Sequence, residues 1–301
     1  MEPCPFSAIF GGTVYVIKSS IQQAQENGSH VETLIFHSVP EDVADSIFTW
    51  LESRSRMKLS YYFEVRELIV CIPRVYHETA SLCFASRIRN ALGPWGVDQP
   101  IIPTGRATFR PANALGTQAG KQGDAGFKAS TRTLANDVPN IVVETTSSHS
   151  YETAKQAAQY WLKTIGVRFQ FQLPIDMPLT LLQVTVVIVI VVKLGTGTRD
   201  GYLRLERWQY IRKRRQVMLI TDAIQTTEIW YNVVSDTSII LPPGDFEVCT
   251  FKQLMDQDPQ AGQPSAIKVR AADLHSLARA VFLSNQYGSL ILLLASELIV
   301  I

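Results

Sequence analysis

Residues 139–162, PNIVVETTSSHSYETAKQAAQYWL, constrain this chain more than any other stretch, because a strand, a turn and a helix must follow one another around a single acid. Ile141, Val142 and Val143 favour a pleated, buried backbone, and Glu144 ends the apolar run. An ionised carboxylate buried without a partner is unfavourable by several kcal/mol. Glu144 is therefore expected at an exposed strand end, beside a cation, or on a metal. Ser148 or Ser150 can cap the helix that follows. Ala154, Ala157, Ala158, Trp161, Leu162 and Ile165 then recur at spacings of three and four, a face of small residues able to pack closely on a sheet. Lys155 flanks that face and can lean toward the Glu144 end of the strand or stay in solvent.

A chain of 301 residues can bury one large core or two modest ones. Its 28 Lys and Arg balance 27 Asp and Glu, so no global field draws it to nucleic acid or an anionic membrane, and such binding must come from a local patch. Cys4, Cys71, Cys83 and Cys249 stand far apart without a CxxC pair, which argues against a zinc site and fits a reducing compartment. The N-terminus lacks a basic flank before its short apolar run and does not read as a secretory signal. An intracellular location, cytoplasm or nucleus, is expected. Two apolar runs, 179–192 and 288–301, fall short of the ~20 residues of a spanning helix. The first reads as a buried strand; the second, which carries Glu297, reads as a core element or hydrophobic tail, with a C-terminal anchor as the alternative. No stable membrane association is expected.

Along the chain, Gly11-Gly12 suggests a hairpin over 6–17, and 31–37 reads as a strand. Ser38 with Glu41 makes a capping box for a helix over 41–53. One strand is expected over 61–72 and a helix over 76–92, where Ala80, Cys83, Phe84, Ile88, Ala91 and Leu92 share a face. Residues 100–130 read as short strands and loops. There Asp124 follows a glycine in GKQGDAGFK, by itself a turn residue more often than a ligand. Strands are expected over 167–173 and 184–192 with an insertion between them, then over 202–211, 230–241 and 246–250. Arg212, Lys213, Arg214 and Arg215 form a basic cluster, either a solvated strand end or a set of phosphate contacts. A loop over 256–265 and a helix over 271–282 complete an α+β (α/β) pattern, a mixed sheet flanked by helices. The organisation expected is an N-terminal extension (1–60), a central domain (61–255) and a C-terminal helix with apolar tail (256–301).

The ordered segments HETASLCFASRIRNAL, RATFRPANALGTQAGKQGDAGFKAS, PNIVVETTSSHSYETAKQAAQYWL and YLRLERWQY carry a resemblance. Together they resemble fungal proteins with a restriction-endonuclease-like domain of the PD-(D/E)XK phosphodiesterase superfamily, and are similar to bacterial restriction-endonuclease-like proteins. The likeness covers about Leu68 to Arg214. It implies a magnesium-dependent endonuclease, a hydrolase of DNA phosphodiester bonds. Glu78 corresponds to the helix acid of that family, Asp124 to the aspartate of its Lys-x-x-Asp segment and Glu144 to its strand-end glutamate. Asp124 and Glu144 are the implied metal ligands. Magnesium suits carboxylate oxygens and would activate a water while neutralising charge on the phosphate.

The chain departs from the family two residues beyond Glu144, where Thr146 replaces the motif lysine. A neutral hydroxyl cannot stabilise a charged phosphoryl transition state as an ammonium does. Lys155, on the following helix, is the residue that the bacterial relatives point to in its place. The chain is therefore expected to be either such a nuclease, with Glu78, Asp124, Glu144 and Lys155 as its machinery, or an inactive relative serving as a nucleic-acid-binding or protein-interaction module. An unrelated globular protein with scattered surface acids is the third reading. Convergence of the three carboxylates separates these readings.

Overall fold

A computed structural model describes residues 6–10, 13–26, 33–52, 57–62, 65–93, 101–105, 108–109, 120–133, 137–147, 151–167, 184–194, 200–209, 211–213, 216–218 and 222–287. In chain order the elements begin β1 (Phe6–Phe10), α1 (Val14–Glu26), β2 (Thr33–His37), α2 (Glu41–Glu52), β3 (Lys58–Tyr62), β4 (Glu67–Cys71) and α3 (Val75–Leu92). Next come β5 (Ile102–Pro103), β6 (Thr108–Phe109), β7 (Lys121–Gln122), β8 (Ala125–Lys128), β9 (Ile141–Ser147), α4 (Tyr151–Val167) and β10 (Val186–Leu194). The remainder is β11 (Asp200–Gln209), β12 (Ile211–Lys213), β13 (Gln216–Met218), β14 (Gln225–Asn232), β15 (Thr237–Leu241), β16 (Phe246–Thr250), α5 (Phe251–Met255), β17 (Ala266–Val269) and α6 (Ala271–Tyr287).

The chain divides into two compact units, one of residues 1–74 with 106–123, the other of 75–105 with 124–301. These limits differ from the 1–60, 61–255 and 256–301 expected. The first 60 residues share a sheet with later ones, and α6 belongs to the core of the second unit. The sheet of the first unit has the order β1-β2-β4-β3-β7-β6. β1 and β2 are parallel; the other pairs are antiparallel. Ile17, Phe36, Ile47, Phe48 and Val70 lie in its core.

Three expectations fail here for local reasons. Residues 6–17 are not a hairpin, because the chain enters α1 at Val14. The strand expected over 61–72 is a hairpin: Arg66 adopts a left-handed φ of 51° and reverses the chain between β3 and β4. Ser38 is not the N-cap of α2: it has a positive φ of 56°, and the helix begins with the Ala44 N–H on the Pro40 carbonyl at 3.0 Å, which puts the cap position at Pro40.

The second unit is built on a seven-stranded mixed sheet, β15-β14-β11-β10-β9-β8-β5. β9 and β10 are parallel, with α4 between them in sequence; the other neighbours are antiparallel. The apolar run 179–192 does supply a strand: Val186 to Val192 are all buried, as a strand covered on both faces requires. On one face Ile141, Val143, Ile188 and Ile190 join Phe84 of α3 and Leu277 of α6 in a common core. On α4, Ala154, Ala157 and Ala158 are buried, and these small side chains let the helix lie close to β9 and β10. Residues 230–241 form a hairpin where one strand was expected, because Asp236 takes a left-handed φ of 51° between β14 and β15. The strand expected over 167–173 and the insertion after it fall almost wholly outside the described residues, 167 being the last residue of α4. No helix among the described residues is long and apolar enough to cross a membrane.

Candidate functional site

Asp124 follows Gly123 at a bend and opens β8, where its N–H donates to the Val143 carbonyl at 2.9 Å. Only 4% of it is exposed. One carboxylate oxygen, Oδ2, accepts the backbone N–H of Thr145 at 2.6 Å. The other, Oδ1, lies 3.2 Å from Nε2 of His77, which is 5% exposed in the first turn of α3. The acid thus ties the start of β8 to β9 by hydrogen bonds, while its other oxygen lies against His77 of α3 without hydrogen-bond geometry. Glu78, next to His77, is half-buried and begins the same helix.

Glu144 does not stand at an exposed strand end. It is 2% exposed in the middle of β9, which continues through Thr145, Thr146 and Ser147, so it is not a solvated strand end. Its Oε1 accepts the indole N–H of Trp161, a fully buried side chain of α4. A neutral donor supplied by the helix satisfies an acid that would otherwise be costly to bury. The β8–β9 register ends at Ala125↔Val143, and Asp124 bonds the backbone on either side of Glu144, through the Val143 carbonyl and the Thr145 N–H.

Thr146, at the motif-lysine position, is 8% exposed and hydrogen-bonds the Ser147 carbonyl at 3.2 Å. Lys155 pairs with Glu152 at 3.5 Å and lies 5.5 Å from the centre of the Tyr151 ring. Arg212 and Lys213 lie on β12, whose hairpin with β13 closes at the Lys213↔Gln216 pair; Arg214 and Arg215 fall outside the described residues. Lys121, three residues before Asp124, is buried in the first unit, where Nζ reaches the Ser60 hydroxyl at 3.2 Å and the Tyr62 hydroxyl at 3.3 Å.

A second buried acid escaped the sequence reading. Glu206 on β11 is fully buried and pairs across Val189 of β10 with the strand position of Glu144. It accepts the Tyr151 hydroxyl at 2.7 Å and the Trp208 indole N–H at 3.0 Å, and the Arg204 guanidinium lies 2.6 Å away. Burial, and then the bond to Glu206, push the Tyr151 hydroxyl well above the ordinary tyrosine range. Burial acts to lower Arg204, but Glu206 beside it outweighs that and holds the guanidinium above its usual value. The signal was present in YLRLERWQY: alternation sets Arg204, Glu206 and Trp208 on one face, an acid between a cation and an indole.

Magnesium would need several carboxylate oxygens within one coordination shell. Among the described residues, no three His, Cys, Asp or Glu side chains stand close enough to hold an ion. Glu78, Asp124 and Glu144 therefore form no three-carboxylate cluster among the described residues. Asp124 accepts a backbone N–H of β9 and lies beside His77, and Glu144 accepts the Trp161 indole N–H. In comparisons with known protein families and with curated proteins, the chain matches none.

Proposed function

We propose that the second unit is a restriction-endonuclease-like domain that no longer cleaves, and that it binds nucleic acid through the basic hairpin β12–β13. The observation that carries this reading is the Glu144–Trp161 bond. It turns the acid that would serve a metal toward the helix behind it. The element order supports the likeness: a helix opened by His77-Glu78, short strands, a strand with a buried glutamate, a helix, and a parallel strand. Thr146 supports the loss of cleavage, since a neutral hydroxyl bonded to the Ser147 carbonyl stands at the motif-lysine position, and Lys155 pairs with Glu152. Residues 212–215 supply four consecutive positive charges, and phosphate contacts on that scale would give a log–log salt slope of about −3 to −4 on duplex DNA.

The test incubates the full-length protein with labelled DNA in EDTA and in magnesium, following binding by anisotropy and cleavage on gels. Binding under both conditions, no cleavage, and at least about tenfold weaker binding by the doubly substituted Arg212→Glu, Lys213→Glu variant are expected. Magnesium-dependent cleavage lost in Asp124→Asn and in Glu144→Gln would replace this reading with an active nuclease. Absence of binding would remove nucleic acid as the partner.

A further inference from the structure

The two edges of the seven-stranded sheet are built differently. β5, at one edge, is two residues long and contains Pro103, a residue without a donor, so it offers little to a further strand. β15, at the other edge, is five residues in regular register with β14, and TSIIL carries no charge, proline or bulge. Natural edges are commonly blunted by such devices; among the described residues this one is not. Its alternation is strict. Ser238 bonds His275 of α6 at 2.9 Å and Ile240 packs on the core, whereas Ile239 is 64% and Leu241 48% exposed. Ile239 is paired with Trp230, which is 50% exposed and has its ring 4.6 Å from that of Tyr202, so an apolar strip runs from the edge into the sheet.

We propose that β15 pairs with β15 of a second copy of this chain, antiparallel about a two-fold axis at Ile239, continuing the sheet from one copy into the other. An open strand edge is completed by another strand, and this one is complementary to itself: Ile239 meets Ile239, and Thr237 meets Leu241, without opposing like charges. The edge is only about 17 Å long. With the Trp230 strip it covers less than the ~800 Å² per partner of a standard stable interface. The assembly is therefore a weak, reversible dimer with a dissociation constant in the micromolar range or above.

Sedimentation velocity on the full-length protein over a concentration series tests this. The wild type is expected to shift from monomer toward dimer as concentration rises. Ile239→Lys, at a solvent-facing position, is expected to need at least about tenfold higher concentration at unchanged thermal stability. A wild type that stays monomeric throughout, or a variant that dimerises as the wild type does, overturns the proposal. Under mild oxidation, Ile239→Cys is expected to cross-link at least about tenfold faster than Val234→Cys, an exposed control in the preceding turn, because paired Cβ atoms lie about 5 Å apart. Equal rates also overturn it.

Discussion

Trp161 gives its indole N–H to the carboxylate of Glu144, so a buried acid in β9 and a buried aromatic in α4 hold the helix on the strand that precedes it. Trp161→Phe retains most of the apolar volume but withdraws a donor from a buried carboxylate. The expected loss is about 1–3 kcal/mol. Glu144→Gln keeps an acceptor for the indole and should lose less, under about 1.5 kcal/mol. Urea unfolding midpoints separate the two; a larger loss in Glu144→Gln would show that the carboxylate charge itself is needed.

Arg132, whose side chain is fully buried, makes two bonds to Asp256, Nε to Oδ2 at 2.8 Å and Nη2 to Oδ1 at 3.0 Å, and a third to the Val138 carbonyl at 2.8 Å. Asn140 adds an amide bond to the same carboxylate at 3.0 Å. These contacts clip the loop between β8 and β9 to the end of α5. Arg132→Met strands a mostly buried carboxylate and should cost about 3–5 kcal/mol. Thermal unfolding of that variant alone and combined with Asp256→Asn checks this: the double variant should recover part of the loss.

Much of this was legible. The helix over 76–92 follows from its periodicity, and the buried strand within 184–192 from an unbroken Val/Ile run too short to span a membrane. The hairpins were not legible, because Arg66 and Asp236 turn the chain with a left-handed backbone and neither is a glycine that would announce it. At the site, Asp124 precedes β8 and bonds the backbone of β9, the strand that carries Glu144. What they bind was hidden. Trp161 reads as one more apolar helix residue until α4 is laid on β9, and His77 reads as a helix-start residue until Asp124 is folded beneath it.

Gly201 sits where the Phe282 ring of α6 meets β11, and a Cβ there would fall 2.1 Å from a ring carbon. Gly201→Ala must therefore displace a buried aromatic. A loss of about 1–3 kcal/mol is expected, and Phe282→Leu in the same background should recover some of it. Denaturant unfolding of the single and double variants reads this directly.

Burial and then hydrogen bonding to an acid push two tyrosines up to about 12, Tyr202 through Glu228 and Tyr231 through Asp236. An unfolded tyrosine ionises near ~10. Between those values the folded protein keeps protons that the unfolded chain has lost, so stability is complete below pH ~10 and declines as pH rises toward ~12. Urea midpoints measured across that window should fall, and Tyr202→Phe should make the decline shallower. A decline of unchanged slope would rule Tyr202 out as a contributor.

The chain leaves the second unit after Gly105, lends β6 and β7 to the sheet of the first, and returns at Asp124. During synthesis the first unit therefore cannot complete its sheet until α3, a piece of the other unit, has already emerged. A fragment ending at Arg74 would leave β3 bare along the side that β7 pairs, and one beginning at Val75 would carry β6 and β7 with no sheet to join. Neither unit can be exchanged with another protein by a single crossover. The two are inherited, and must be expressed, as one interlaced piece.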